Sequence, residues 1–459
     1  MPTAAPRRTP ELLAPAGSLA MMRTAYAFGA DAVYAGQPRY SLRVRNNDFG
    51  NLETLGGAIG EAHAGGKQFY VVSNVLPHNP KVRTYLADMA PVIALKPDAL
   101  IMADPGLIMM VRDQWPDMPI HLSVQANAVN WADVKFWQRM GLTRVILSRE
   151  LSLDEIEEIR QQCPEMELEV FVHGALCIAY SGRCLLSGYF NHRDPNQGTC
   201  TNSCRWDYKV MNAGEDASGD LARIPVQSIS LNYRQALDEA NASFSAMGDM
   251  QRHPLADRPY MIEEAERPGQ LMPILEDEHG TYIMNSKDLR AVEHVERLVK
   301  IGVDSLKIEG RTKSLYYAAR TAQVYRTAID DAVAGRPFNM DLLGQLQGLA
   351  NRGYTDGFYQ RHHTQDHQNY MAGASELHRS QYVGDVQGVR DGWAEVDVKN
   401  RFAVGDQLEV LHPTGNTLVR VEQIQSLDGA PMDAAPGSGH RVRIALDQRF
   451  DKALLARML

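Results

Sequence analysis

From residue 11 to about residue 310 the chain alternates between short apolar runs of strand character and longer stretches with helical spacing. The short runs lie at Glu11 to Ala14, Ala32 to Ala35, Phe69 to Ser73, Ala99 to Met102, Ile120 to Val124, Arg144 to Leu147, Glu167 to Val172, Tyr282 to Met284 and Ser305 to Ile308. Helical patterns separate them, as in Ser18 to Phe28, in Asp154 to Gln162 and in Trp131 to Met140, where Trp131, Val134 and Trp137 recur on one face. Apolar strands joined by helical crossovers make a parallel sheet. Eight or nine such units, with no GxGxxG after the first strand, favour an α/β fold with a closed (β/α)8, TIM-barrel-like catalytic domain. An open doubly wound sheet stays as the alternative.

Two segments break this rhythm. Residues 212–272 are acidic, small and Met- and Pro-containing (NAGEDASGD, ANASFSAMGDMQRHP), which predicts an insertion or loop rather than a domain. After a helical pattern at Lys313 to Ala334, the run RGYTDGF at 352–358 reads as a tight connection, and a polar stretch follows near 360–380. From Gln381 the apolar positions alternate (Ala394, Val396, Val398; Leu408, Val410; Val442, Ile444) between Gly and Pro turns, as in a small antiparallel β-barrel. The expected division is a catalytic domain at 8–335, a helical linker at 336–380 and a C-terminal β-barrel at 381–459.

With 459 residues, 44% of them hydrophobic and 22% charged, the chain has the make-up of a globular protein of two or three domains. Its 47 basic against 56 acidic residues give a net charge of −9, which excludes a grip on nucleic acid by the whole surface but not by a local basic groove. The C-terminal barrel has 9 basic and 11 acidic residues, so it is expected to position a partner rather than to supply affinity. No stretch approaches 18 consecutive apolar residues, and the two arginines near the start precede no apolar run. A cytoplasmic protein with no membrane association is expected, in a compartment that keeps thiols reduced.

Four of the five cysteines, Cys177, Cys184, Cys200 and Cys204, fall within 28 residues, spaced C-x6-C-x15-C-x3-C. Clustered thiols in a reducing compartment ask for a metal. Structural zinc sites pair cysteines two to four residues apart, and only the last pair comes near that. Four thiolates on one glycine-containing segment suit an iron–sulfur cluster, while zinc and unrelated buried cysteines remain open on spacing alone. Cys163, in QQCPE at a helix end, reads as a structural bystander.

The run EVFVHGALCIAYSGRCLLS, Glu169 to Ser187, resembles the signature of the collagenase-like, "unassigned" peptidase family at Glu169, Phe171, Gly174, Ala175, Leu176, Cys177, Gly182, Cys184 and Ser187. ELLAPAG, GADAVYAG, QGTCTNSCRW, MNSKDL, SLKIEGR and RGYTDGF resemble the same family. The longer runs YAGQPRYSLRVRNNDF, HLSVQANAVNWADVKFWQRMGLTRVILSRELS and DPNQGTCTNSCRW are similar to one tRNA-modifying branch of it. That resemblance implies a (β/α)8-type catalytic domain and an iron–sulfur cluster, taken as 4Fe–4S, on Cys177, Cys184, Cys200 and Cys204. It further implies oxygen-independent, prephenate-dependent hydroxylation of the wobble uridine of tRNA to 5-hydroxyuridine. The partners would be the tRNA anticodon loop and prephenate, with no obligate protein partner.

Catalytic groups of a barrel project from the C-terminal ends of its strands. SLKIEGR places Lys307, Glu309 and Arg311 on one face, HLSVQAN does the same with Ser123, Gln125 and Asn127, and YSLRVRNN offers Arg43 and Arg45. Prephenate carries two carboxylates and RNA carries phosphates, so Arg43, Arg45 and Arg311 are the expected anion clamp. The bland reading is a salt bridge at the rim, Glu309 with Lys307 or Arg311. His173, at the end of its strand, is a candidate proton donor or sulfur hydrogen-bond partner, unless it is a satisfied structural histidine. Lys307 and Glu309 complete the candidate catalytic set. Tyr180 and Arg183, inside the cysteine run, are candidate substrate-binding or cluster-tuning residues. Lys313, Tyr317 and Arg320 form a basic and aromatic helical stripe that fits either RNA contact or an ordinary solvated face. His362, His363 and His367 read as a solvated linker before a metal site.

Peptidase activity is the first rival, yet no HExxH, GxSxG or Walker loop is present, and Cys163 lacks a basic neighbour in sequence. A non-enzymatic iron–sulfur adaptor that holds RNA is the second.

Overall fold

The computed structural model describes residues 9–36, 39–41, 48–176, 287–349, 353–360 and 380–458 with their side chains, and within 177–286 the backbone of seven short strands. Eight parallel strands make the barrel: β1 (Glu11–Pro15), β2 (Ala32–Gly36), β3 (Gln68–Ser73), β4 (Ala99–Met102), β5 (Ile120–Leu122), β6 (Arg144–Ile146), β7 (Glu167–Ala175) and β8 (Ser305–Ile308). Each pairs with its successor, and β8 pairs with both β7 and β1, which closes the ring and discards the open-sheet alternative. The strands are near-continuously apolar because helices cover their outer face.

Among the described residues the outer layer is made by α1 (Leu19–Ala27), α2 (Leu52–Ala64), α3 (Tyr85–Ala94), α4 (Pro105–Gln114), α5 (Trp131–Arg139), α6 (Leu153–Gln162), α7 (Val295–Ile301) and α8 (Leu315–Val333), with short helices besides at Asn79–Val82 and Asp341–Gln347. Local chemistry fixes where most of them begin. Ser18, Asn51, Asp104, Asn130, Ser152 and Ser314 each accept a hydrogen bond from a first-turn N–H, and Ser152 with Glu155 completes a capping box.

Three sequence expectations change here. The 212–272 region is not a plain loop: Tyr208–Glu215, Leu221–Arg223, Tyr260–Glu264, Leu271–Asp277 and Gly280–Ile283 form a five-stranded antiparallel sheet inserted between β7 and α7. Tyr282, assigned above to a barrel strand, belongs to that sheet. Its acidic and small residues hid strands whose β-branched and aromatic positions are few. The segment after α8 is more than a linker, because Leu342, Leu346 and Leu349 enter the barrel's hydrophobic core and Tyr354–Thr355 pairs with Asp288–Arg290.

The C-terminal domain is an eight-stranded antiparallel sheet curled into a half-barrel around its own core, including Val396, Phe402, Leu408, Val410 and Ile444. It docks on α8. Arg320, buried in the middle of that helix, forms an ion pair with Glu409, and Tyr316 stacks on Tyr382 with centroids 5.5 Å apart. Both readings of the stripe, RNA contact and solvated face, are therefore corrected at Tyr317 and Arg320, which are buried and serve packing. Among the described residues no helix is long and apolar enough to cross a membrane.

Candidate active site at the barrel mouth

The barrel interior carries charge, and each buried charge has a partner. Arg144 lies 2.7 Å from Glu11, 2.9 Å from Glu167 and 3.2 Å from Glu169, while Tyr70 and Ser305 hydroxyls donate to Glu11 at 2.6 and 2.9 Å. Above this layer the Lys307 Nζ donates to Glu169 Oε1 at 2.8 Å and sits 4.4 Å from the centre of the Tyr34 ring. Burial pushes the Lys307 ammonium down from its ordinary range, and Glu169 beside it opposes that shift.

Toward the C-terminal ends of the strands, Glu309 accepts a hydrogen bond from the Tyr34 hydroxyl at 3.1 Å, with Arg149 Nη2 3.9 Å from the same carboxylate oxygen. Arg311 donates to Ser41 Oγ at 3.1 Å. Lys307, Glu309 and Arg311 thus share the barrel-facing side, as the alternation in SLKIEGR predicted. Gly36 on β2 allows this crowding, since a Cβ there would lie 2.6 Å from both Arg311 Nη1 and Ser41 Oγ.

Arg149 is the mouth residue that the sequence reading missed. It packs 3.9 Å from the centre of the Phe171 ring and donates to the Ala175 carbonyl at 2.9 Å, so it ties the end of β7 to Glu309. The available signal was its place one turn past β6, in the same register as the polar residues after other strands.

His173 lies elsewhere. The β7–β8 register slips between Lys307 and Ile308, so Lys307 pairs with Phe171 but Ile308 pairs with His173. This bulge turns His173 away from the interior and into a cage of Tyr317, Tyr325 and Tyr354, with ring centroids 5.5 to 5.7 Å away. The Tyr325 hydroxyl donates to Val172 O at 2.6 Å and lies 3.3 Å from His173 Nδ1, which assigns the proton to Nδ1. Burial, helped by the charges of Arg290 and Lys313, holds the imidazole down at about 3, so it is neutral at physiological pH. Proton donation into the mouth through an imidazolium does not fit this placement. Gly174, with φ +106°, brings the strand end against β8, because a Cβ there would meet the Glu309 carbonyl at 2.5 Å.

The HLSVQAN alternation ends at Leu122. Val124–Ala126 form a 3-10 turn, Ser123 caps it, and Asn127 adopts a left-handed conformation, so Gln125 and Asn127 line the loop above β5 and not a strand face. Arg43, Arg45, Cys177, Cys200, Cys204, His362, His363 and His367 lie outside the described residues. Tyr180, Arg183 and Cys184 are described by backbone only, in a two-stranded hairpin in which Ala179 pairs with Cys184. Cys163 is buried, its thiol donating to Trp131 O at 3.5 Å and pushed up by burial, as a bystander would be.

A cavity of 850 Å³ opens at the opposite, N-terminal end, lined by Glu11, Asp31, Asp98, Glu165, Glu167 and Asp304 against Arg144. Its acidity suits no polyanion. The C-terminal face holds the cations instead, together with the root of the cysteine segment two residues before Cys177.

A closed barrel with its polar groups at the C-terminal mouth and a cysteine-rich segment leaving β7 defines an α/β barrel enzyme scaffold. The chain belongs to peptidase family U32: residues 17–369 match the family description "Peptidase family U32" and residues 378–457 match its C-terminal domain. Within that family it is 60% identical over 455 residues to the "tRNA hydroxylation protein P" of Escherichia coli strain K12, covering 98% of this chain and 96% of that one. The protein of the same name from Haemophilus influenzae is 57% identical over 457 residues, at 98% and 96% coverage. A more distant relative, the "23S rRNA 5-hydroxycytidine C2501 synthase" of Escherichia coli, is 27% identical over 87% of this chain and 52% of its own length.

Proposed function

We propose that this protein is a tRNA hydroxylase that converts the wobble uridine to 5-hydroxyuridine without molecular oxygen, with prephenate as co-substrate. The observation that carries the reading is identity of 60% along essentially the whole chain to a tRNA hydroxylation protein. In this reading Cys177, Cys184, Cys200 and Cys204 hold an iron–sulfur cluster, for which an all-thiolate donor set is suited. When bound, the cluster supplies one-electron chemistry at the mouth.

The chain's own residues do the rest. Arg149 and Arg311 offer guanidinium forks to carboxylates of the co-substrate. Lys307, below them, adds a positive charge that Glu169 keeps in place. Glu309, beside Tyr34, can accept a proton at the mouth. Arg144, Glu169 and Lys307 beneath them are buried, and the low polarisability around them strengthens these interactions.

Peptidase chemistry finds little support. Among the described residues the one cysteine thiol, Cys163, is buried and hydrogen-bonded to a backbone carbonyl, so it offers no activated nucleophile.

The test is iron and acid-labile sulfide on anaerobically purified protein, beside Cys177→Ala, Cys184→Ala, Cys200→Ala and Cys204→Ala variants. Nucleoside analysis of tRNA from a deletion strain complemented with each variant completes it. Iron, sulfide and 5-hydroxyuridine are expected to fall together; full tRNA hydroxylation by metal-free variants would refute the reading.

A further inference from the structure

The loop after β3 carries a feature that the mouth residues do not explain. Asn74, Val75, Leu76, Pro77, His78, Pro80 and Lys81, with Gln125 from the loop above β5, enclose a slot of 480 Å³. It lies on the C-terminal face, because its walls follow the C-terminal ends of β3 and β5. Its sides are apolar, and Leu76 on the rim is 63% exposed, an unusual expense of apolar surface on a face otherwise polar. Two amides reach it. Asn74 Nδ2 donates to Ser123 Oγ at 3.3 Å, whereas the Gln125 side-chain amide makes no hydrogen bond among the described residues.

The surrounding charge is one-sided in a chain of net charge −9. Lys81, which lines the slot, and Arg83, two residues further along the chain, are exposed and form no ion pair among the described residues. The nearby carboxylate of Asp88 is already engaged by Arg39 at 2.7 Å and by the Tyr40 hydroxyl at 2.5 Å. The slot is also joined to the mouth. Val75 N–H donates to Tyr40 O at 3.0 Å, Lys81 Nζ donates to Arg39 O at 3.2 Å, and the next residue along, Ser41, holds Arg311.

We propose that this slot receives an unstacked nucleobase of the RNA substrate, with Lys81 and Arg83 on its flanking phosphates. The inference rests on the hydroxylase reading and deepens it. Bases in RNA loops are recognised when splayed from the stack, held between apolar walls and read on their edges by amides. Val75, Leu76, Pro77 and Pro80 supply the walls, Gln125 and Asn74 supply donors and acceptors, and the basic rim supplies the phosphate contacts. The volume falls in the range of small-ligand pockets. The larger cavity at the other end of the barrel fails on charge.

The test is photocrosslinking of anticodon stem–loops carrying 4-thiouridine at the target position or at either neighbouring position, with steady-state kinetics on whole tRNA. The variants are Leu76→Asp, Gln125→Ala and the double variant Lys81→Glu/Arg83→Glu. The slot predicts crosslinks on peptides containing residues 74–83 or Gln125. It also predicts a KM for tRNA raised about ten-fold in the double variant, in excess of any fall in kcat, with a shallower salt dependence. Wild-type protein that hydroxylates tRNA while crosslinks map elsewhere and the variants keep their KM overturns the slot and leaves the function standing. Wild-type protein that neither binds nor hydroxylates tRNA overturns the function and the slot with it.

Discussion

Lowering the pH from 7 to 5 tests the tyrosine cage around His173. The imidazole is held at about 3 in the folded protein and returns to its ordinary 6.5 on unfolding. The unfolded chain therefore binds the extra proton, and stability present above pH 6.5 is lost as the pH falls toward 3. The slope is about 1.4 kcal/mol per pH unit inside that window, so the step from pH 7 to 5 costs about 2 kcal/mol from this one group. The comparison is between wild type and His173→Phe, which keeps an aromatic ring in the cage and cannot ionise. Urea midpoints of both proteins at pH 5, 6 and 7, read by circular dichroism, give the difference in slope. The variant is expected to lose about 2 kcal/mol less than wild type over this range. Parallel profiles would mean that His173 keeps an ordinary pKa, and the cage argument would fall.

Three further outcomes follow from the packing. Gly174→Ala is expected to cost about 2 kcal/mol or more in thermal unfolding, because φ is +106° and the new Cβ meets the Glu309 carbonyl; a neutral substitution would contradict the close approach. Lys307→Met leaves Glu169 to Arg144 alone and is expected to cost about 3 to 5 kcal/mol, part of which the added change Glu169→Leu recovers in a double-mutant cycle; strict additivity would dissolve the pair. Arg320→Met removes the partner of Glu409, so amide exchange in Ser380–Arg390 is expected to quicken relative to the barrel strands, and unchanged exchange would show that the domain docks by other contacts.

Legibility in the sequence followed the range of the forces involved. The barrel strands were readable since each is a local apolar run, and the SLKIEGR alternation correctly set Lys307, Glu309 and Arg311 on one side. His173 stayed open between a mouth residue and a structural histidine because a one-residue bulge at Val172 reverses its side, and nothing in EVFVHGA marks that slip. Tyr317 and Arg320 looked like surface because the carboxylate that buries Arg320 comes from Glu409, in another domain. Arg149 escaped notice since its partners, Ala175 and Glu309, are brought to it by barrel closure.

The insertion between β7 and β8 also sets an order of assembly. Strand β7 ends at Ala175 and β8 begins at Ser305, yet β8 is the strand that joins β7 to β1. During synthesis seven strands emerge before the one that seals them, so both edges of the growing sheet stay open while the inserted sheet is made. Closing so long a loop adds only a modest entropic cost to stability, but it weighs on the rate. The short antiparallel strand Asp288–Arg290, which pairs with the end of β7, brings the chain back beside its docking edge just before β8 is needed. A nascent chain stalled short of residue 288 is therefore expected to be the form most exposed to edge-to-edge aggregation and to chaperone capture.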